Sequence, residues 1–176
     1  MQKYHPLLVA LHWLMAIMIL ISLVAGGFFL AEMPNDNPMK IQGLGGHMAF
    51  GMAIGALLIL RLLTRLASRH PPRARTGSAF LDRVGVMTHW GFYALIAGMV
   101  LTGVATAVGA GLFPIVYGGA AESLPPELSS LPQRAAHGFI ALLLAMLIAL
   151  HVAAALYHQF ILRDNLVRRI WFGERL

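Results

Sequence analysis

Hydrophobic positions along this chain form long runs instead of alternating with polar ones. Apolar stretches cover about residues 6–31, 43–66, 80–110 and 133–162. A helix crosses a bilayer core with about 20 apolar residues, so each stretch is predicted to span a membrane. The breaks between them carry helix-stopping residues. Met33-Pro34-Asn35-Asp36-Asn37-Pro38 follows the first stretch, and Pro114, Pro125, Pro126 and Pro132 separate the third from the fourth. Proline lacks the backbone donor that a helix interior requires. The first stretch is also far longer than the roughly 7–15 apolar residues of a cleaved signal peptide. The expectation is an all-α fold, an integral membrane four-helix bundle forming a single domain over 1–176.

Composition strengthens that reading. The chain is 59% hydrophobic and 11% charged, whereas a soluble domain carries about 25% charged residues. It has no cysteine, which excludes disulfides, iron–sulfur clusters, thiolate ligands and covalent haem attachment through C-x-x-C-H. The net charge of +6 sorts by loop and forms no nucleic-acid patch. Lys3, Arg61, Arg65, Arg69, Arg73, Arg75, Arg83, Arg163, Arg168, Arg169 and Arg175 fall at one end of the predicted spans. Only Lys40 and Arg134 fall at the other, beside Glu32, Asp36, Glu122 and Glu127. Basic residues concentrate on the cytoplasmic side of membrane proteins, so both termini and the middle loop are expected to be cytoplasmic.

The candidate chemistry lies in the histidines. His12, His47, His89, His137 and His151 sit within the predicted spans, and His158 lies near the end of one. A polar, ionisable side chain in a membrane helix is costly and points to function. His137 and His151 are fourteen residues apart, which returns them to nearly the same face about 21 Å apart along the axis. That spacing suits two stacked cofactors better than one metal ion, whose ligands would recur at i, i+3 or i+4. Helix direction then matches partners by depth: His47 with His137 at the outer level, His12 with His151 at the inner. Imidazole is an axial ligand of haem iron, so two bis-histidine haems are predicted. His89 and His158 remain rivals for the inner level. Gly43, Gly46, Gly51, Gly55 and Gly138 either admit a flat macrocycle or let helices pack closely. His5 and His70, each beside a proline, are expected to be exposed.

These residues resemble the bacterial cytochrome b561 proteins, small four-helix di-haem membrane cytochromes. The likeness lies in Leu11-His12-Trp13-Leu14, His47 with Arg61, His89 with Tyr93, and His137 with His151. It continues through Leu150-His151-Val152-Ala153-Ala154-Ala155-Leu156-Tyr157-His158 to Arg163-Asp164-Asn165. The resemblance implies two haem b groups ligated by His12, His47, His137 and His151, in a bacterial inner membrane. One branch of that family implies a superoxide:ubiquinone oxidoreductase, in which superoxide yields its electron outside and ubiquinone collects electrons in the membrane. Arg134 and Lys40 would then guide the superoxide anion, and Arg61 would neutralise inner propionates. His158, His89, Trp13 and Tyr93 would line a quinone or support the inner haem. Other relatives imply a b-type subunit relaying electrons between the quinone pool and a partner dehydrogenase or hydrogenase. A histidine-lined metal or proton transporter is the more distant alternative, and it would call for acidic residues deep in the spans, where none occurs.

Overall fold

The computed structural model describes residues 3–69, 71–72, 76–118 and 123–173, without the Glu127 side chain. His70, Arg73, Arg75, Glu122 and Arg175 lie outside the described residues. Helix α1 spans Pro6–Val24 and continues into a wider π turn, Ala25–Leu30. Helix α2 spans Pro38–Ala67, α3 Ala79–Gly109, α4 Leu112–Tyr117 and α5 Pro132–Leu156, the last closing in a π turn over Tyr157–Leu162. Short 3-10 turns cover Pro126–Ser130 and Leu166–Ile170. Among the described residues there is no strand. Four helical segments, Pro6–Leu30, Pro38–Ala67, Ala79–Gly109 and Pro132–Leu162, are long and apolar enough to cross a membrane.

Helix ends follow the local chemistry. His5, itself exposed, accepts a hydrogen bond from the Leu7 N–H through Nδ1, and Pro6 opens the first turn. Asn37 caps α2 by accepting from the Met39 N–H at 2.9 Å, with Pro38 in the first turn. Proline is tolerated there because the first helical N–H groups have no intrahelical acceptor. This cap carries α2 outward past residue 43, where hydropathy alone would start it. Gly111, at φ 61°, turns the chain sharply from α3 into α4. At the far end, Arg163 and Asn165 adopt left-handed conformations at φ 54° and 56° and end the long fifth helix.

The packing is uneven. Helix α1 lies against α2, α2 against α3, and α3 closely along α5, whereas α5 stands off from both α1 and α2. A buried apolar layer at mid-height joins Met15 and Ile19 of α1, Ile54 of α2, Ile96 of α3 and Leu144 of α5. A second cluster, Ala107, Leu112, Ile115, Leu124 and Leu128, caps the end of the bundle where α2 begins, the outer end in the expected orientation. It turns part of the apparently polar break after α3 into a folded cap, with α4 resting on α2 and Tyr117 donating to the Gly45 carbonyl at 2.9 Å. Tyr4, Pro72 and Arg169 lie together at the opposite end: the Tyr4 N–H donates to the Arg169 carbonyl at 3.1 Å, and Arg169 donates to the Pro72 carbonyl at 2.7 Å.

Candidate cofactor-binding site

The stand-off of α5 from α1 and α2 is bridged at two levels by facing imidazoles. At the outer level the rings of His47 and His137 have centroids 6.1 Å apart, with their planes at 77°. At the inner level His12 and His151 are 6.4 Å apart at 65°. All four are half-buried. The mid-height apolar layer separates the levels, with Leu144 seven residues from each α5 histidine.

Both pairs suit a metal between two trans imidazoles. A ring nitrogen bonds a first-row metal at about 2.0 Å, and the ring centre lies about a further ångström behind it, so such centroids sit about 6 Å apart. Among the described residues no three His, Asp or Glu side chains gather as a metal-binding group. Two donors on opposite sides are what an iron already held in a macrocycle needs from the protein. The glycines also fit. A Cβ on Gly26 would lie 3.0 Å from His47 Cε1, and one on Gly103 would lie 3.2 Å from His137 Cε1. Each glycine therefore gives an imidazole its seat. The π turn that brings Gly26 against His47 is a rare element often found at functional sites.

The outer histidines are held differently from each other. Thr102 Oγ1 lies 2.7 Å from the Gly98 carbonyl and 3.1 Å from His137 Nδ1. With its proton directed to the carbonyl, its oxygen is placed to accept from a His137 Nδ1–H. This tautomer leaves Nε2 unprotonated, as a metal ligand requires. The Nδ1 of His47 is buried without a hydrogen-bond partner among the described residues, so packing against Gly26 places that ring. Arg134 is close enough to both outer rings to interact electrostatically. Its Nη1 passes 3.4 Å from where a Gly138 Cβ would stand, an ordinary contact distance. Lys40 is buried, and its ammonium donates to the Met33 carbonyl and to Asn35 Oδ1, at 2.8 Å in the latter case. Its side chain is thereby committed to closing the loop before α2.

The inner pair is ringed by aromatic groups. Trp13 contacts His12 at 5.2 Å between centroids, and Phe92 and His89 contact His151 at 5.3 and 5.6 Å. His89 is exposed, and its Nδ1 lies 2.7 Å from the Gly85 carbonyl of its own helix. Trp13 donates from Nε1 to the Ile170 carbonyl at 2.9 Å and packs on Trp171. Arg61 donates to the Leu8 carbonyl at 2.7 Å, one turn before His12. Tyr93 lies beneath the Arg65 guanidinium. His158 is buried and pairs through Nδ1 with Asp164 Oδ2 at 2.6 Å, while Asp164 Oδ1 accepts from the Leu166 N–H. That network pins the end of the fifth helix to the last turn.

Hydropathy and histidine depth could not indicate Gly26, Thr102 or Gly103, because their partners lie on other helices. Of the glycines singled out from the sequence, Gly43 meets Leu30 and Gly55 meets Val100, which is helix packing, while Gly46 and Gly51 border open space.

Helices long enough to span a bilayer, with imidazoles paired across the bundle at two heights, define the class of membrane b-type cytochromes. The sequence matches the family described as prokaryotic cytochrome b561 over residues 3–173. It is also 29% identical over 180 residues to a probable superoxide oxidase CybB of Yersinia pestis, covering 99% of this chain and 98% of that protein. The chain belongs to the prokaryotic cytochrome b561 family, whose members bind haem b. It is a multi-pass membrane protein of electron transfer.

Proposed function

We propose that this chain is a single-domain di-haem cytochrome of a bacterial inner membrane, with both termini cytoplasmic, that oxidises superoxide at its outer end and reduces ubiquinone. The observation that carries the reading is the pair of facing imidazoles at each of two heights. His47 and His137 ligate the outer haem, and His12 and His151 the inner. Haem held between these imidazoles would supply one-electron chemistry. The protein supplies position and charge. Arg134, beside both outer rings, draws an anion to that end; Lys40 adds positive charge behind it while its ammonium secures the loop. Arg61, adjoining the inner level, balances propionate charge. Trp13, His89, Tyr93 and His158 form the inner region where quinone docks, and of these His89 is the imidazole open to the bilayer. His158, tied to Asp164, supports the helix end that shapes this region.

The name of the Yersinia relative and the one-sided distribution of basic residues support the superoxide reading and the orientation. Two experiments test it. The purified chain should yield two haem b groups per polypeptide by pyridine haemochrome; none would return the histidines to a transporter reading. Superoxide mixed with the oxidised protein should reduce the haems within the mixing time, and added ubiquinone should then be reduced. Haem reduction no faster than in an unrelated bis-histidine cytochrome would leave a relay to a partner dehydrogenase or hydrogenase.

A further inference from the structure

We infer that Thr102 is a positioning residue that sets the redox balance of the outer haem through the imidazole of His137. The inference rests on His137 as a haem ligand and adds a residue to that site. Thr102 lies on α3 and His137 on α5, the closely packed helix pair. Its hydroxyl donates to the Gly98 carbonyl of its own helix, which orients the oxygen lone pairs towards His137 Nδ1 at 3.1 Å. Gly103, the next residue, seats the same ring edge: an added Cβ would stand 3.2 Å from Cε1 and 3.5 Å from Nδ1. The Met99 carbonyl also faces this ring. Consecutive residues of α3 thus grip one edge of the imidazole, leaving Nε2 to point across the bundle.

An acceptor on the distal N–H of a metal-bound histidine makes the ring more basic and fixes its tautomer. A more basic ligand stabilises ferric iron over ferrous. Thr102 therefore holds the outer potential lower than it would otherwise be, opposing the neighbouring Arg134 charge, which favours the reduced state.

The test is a spectroelectrochemical titration of the haem-replete protein alongside Thr102→Val and Thr102→Ser. Thr102→Val should raise the ferrous-to-ferric ratio of one haem at fixed potential, on the order of tenfold. That equals a positive shift of about 59 mV for one electron. The second haem should not move, and Thr102→Ser, which keeps the hydroxyl, should titrate like the parent. If both potentials stay put while both haems remain bound, the Met99 carbonyl suffices and the inference fails. An equal shift of both haems, or a shift in Thr102→Ser as large as in Thr102→Val, overturns it too. Should valine impair haem loading, Thr102→Ala removes the same hydroxyl with less bulk and is read in the same way. A parent chain without haem would sink the cofactor reading itself, which is a separate outcome.

Discussion

The outer and inner levels of the bundle present the same pair of ligand types in unlike surroundings. Outside, His137 is hydrogen-bonded to Thr102, both rings rest on glycines, and Arg134 stands beside them. Inside, His12 and His151 are enclosed by the rings of Trp13, Phe92 and His89, with Arg61 turned to the Leu8 carbonyl. The difference teaches that one architectural unit, an imidazole pair across a helix gap, can be specialised by what lies around it. An arginine adjoins each level, Arg134 outside and Arg61 inside, so the contrast lies in the directed hydrogen bond at His137 against the aromatic enclosure of His151. Under the proposed function, flat apolar and aromatic surfaces suit the end that would meet a ring-shaped, membrane-dissolved partner.

The strongest way to break this comparison is to remove a ligand from each level separately. His137→Ala should lower the haem content from two to about one per chain, and His12→Ala should do the same while sparing the other spectral component. If either variant loses both haems or neither, the levels are not independent. Next in size are the seats. Gly26→Val and Gly103→Val place carbon where His47 and His137 already stand, so outer haem should be retained on the order of tenfold less tightly. Gly27→Ala is the control, since a Cβ there meets nothing within 4 Å. Loss of the inner haem from either glycine variant would erase the distinction between the levels.

A smaller effect should come from charge. Arg134→Gln should slow haem reduction by superoxide several-fold at low ionic strength, and the deficit should shrink as salt screens the field. A deficit independent of salt would show that Arg134 acts through structure. Smallest is the inner end: Trp13→Phe keeps an aromatic ring in contact with His12 but deletes the indole donor to the Ile170 carbonyl. It should cost about 1 kcal/mol, read as a modest drop in melting temperature and easier proteolysis after α5, with haem content unchanged.

Much of this is legible in the sequence. The four spans follow from hydropathy, because a bilayer imposes its thickness on local sequence, and the observed helices differ from the predicted ones mainly where a cap extends them. The Asn37 cap accounts for the outward extension of α2. The pairing of His47 with His137 and of His12 with His151 followed from helix direction and rise, which are one-dimensional quantities. The outer cap was not legible. Leu112, Ile115, Leu124 and Leu128 are spread through a proline-rich break, and no periodicity marks them as a cluster. Nor could the sequence show that Lys40 is committed to a loop carbonyl and Asn35, or that His158 is locked to Asp164 while His89 stays exposed.

Sequence alone thus determined the apolar surroundings of this protein, its four candidate spans and the relative heights of its histidines, since each depends on composition or on distance along one helix. Tertiary structure alone decided which backbone each imidazole touches. That depends on how α1, α2, α3 and α5 are rotated about their axes and how far α5 stands from its neighbours. Thr102 and His137 are 35 residues apart in the chain and 3.1 Å apart in space, and only the packing of two helices brings them together.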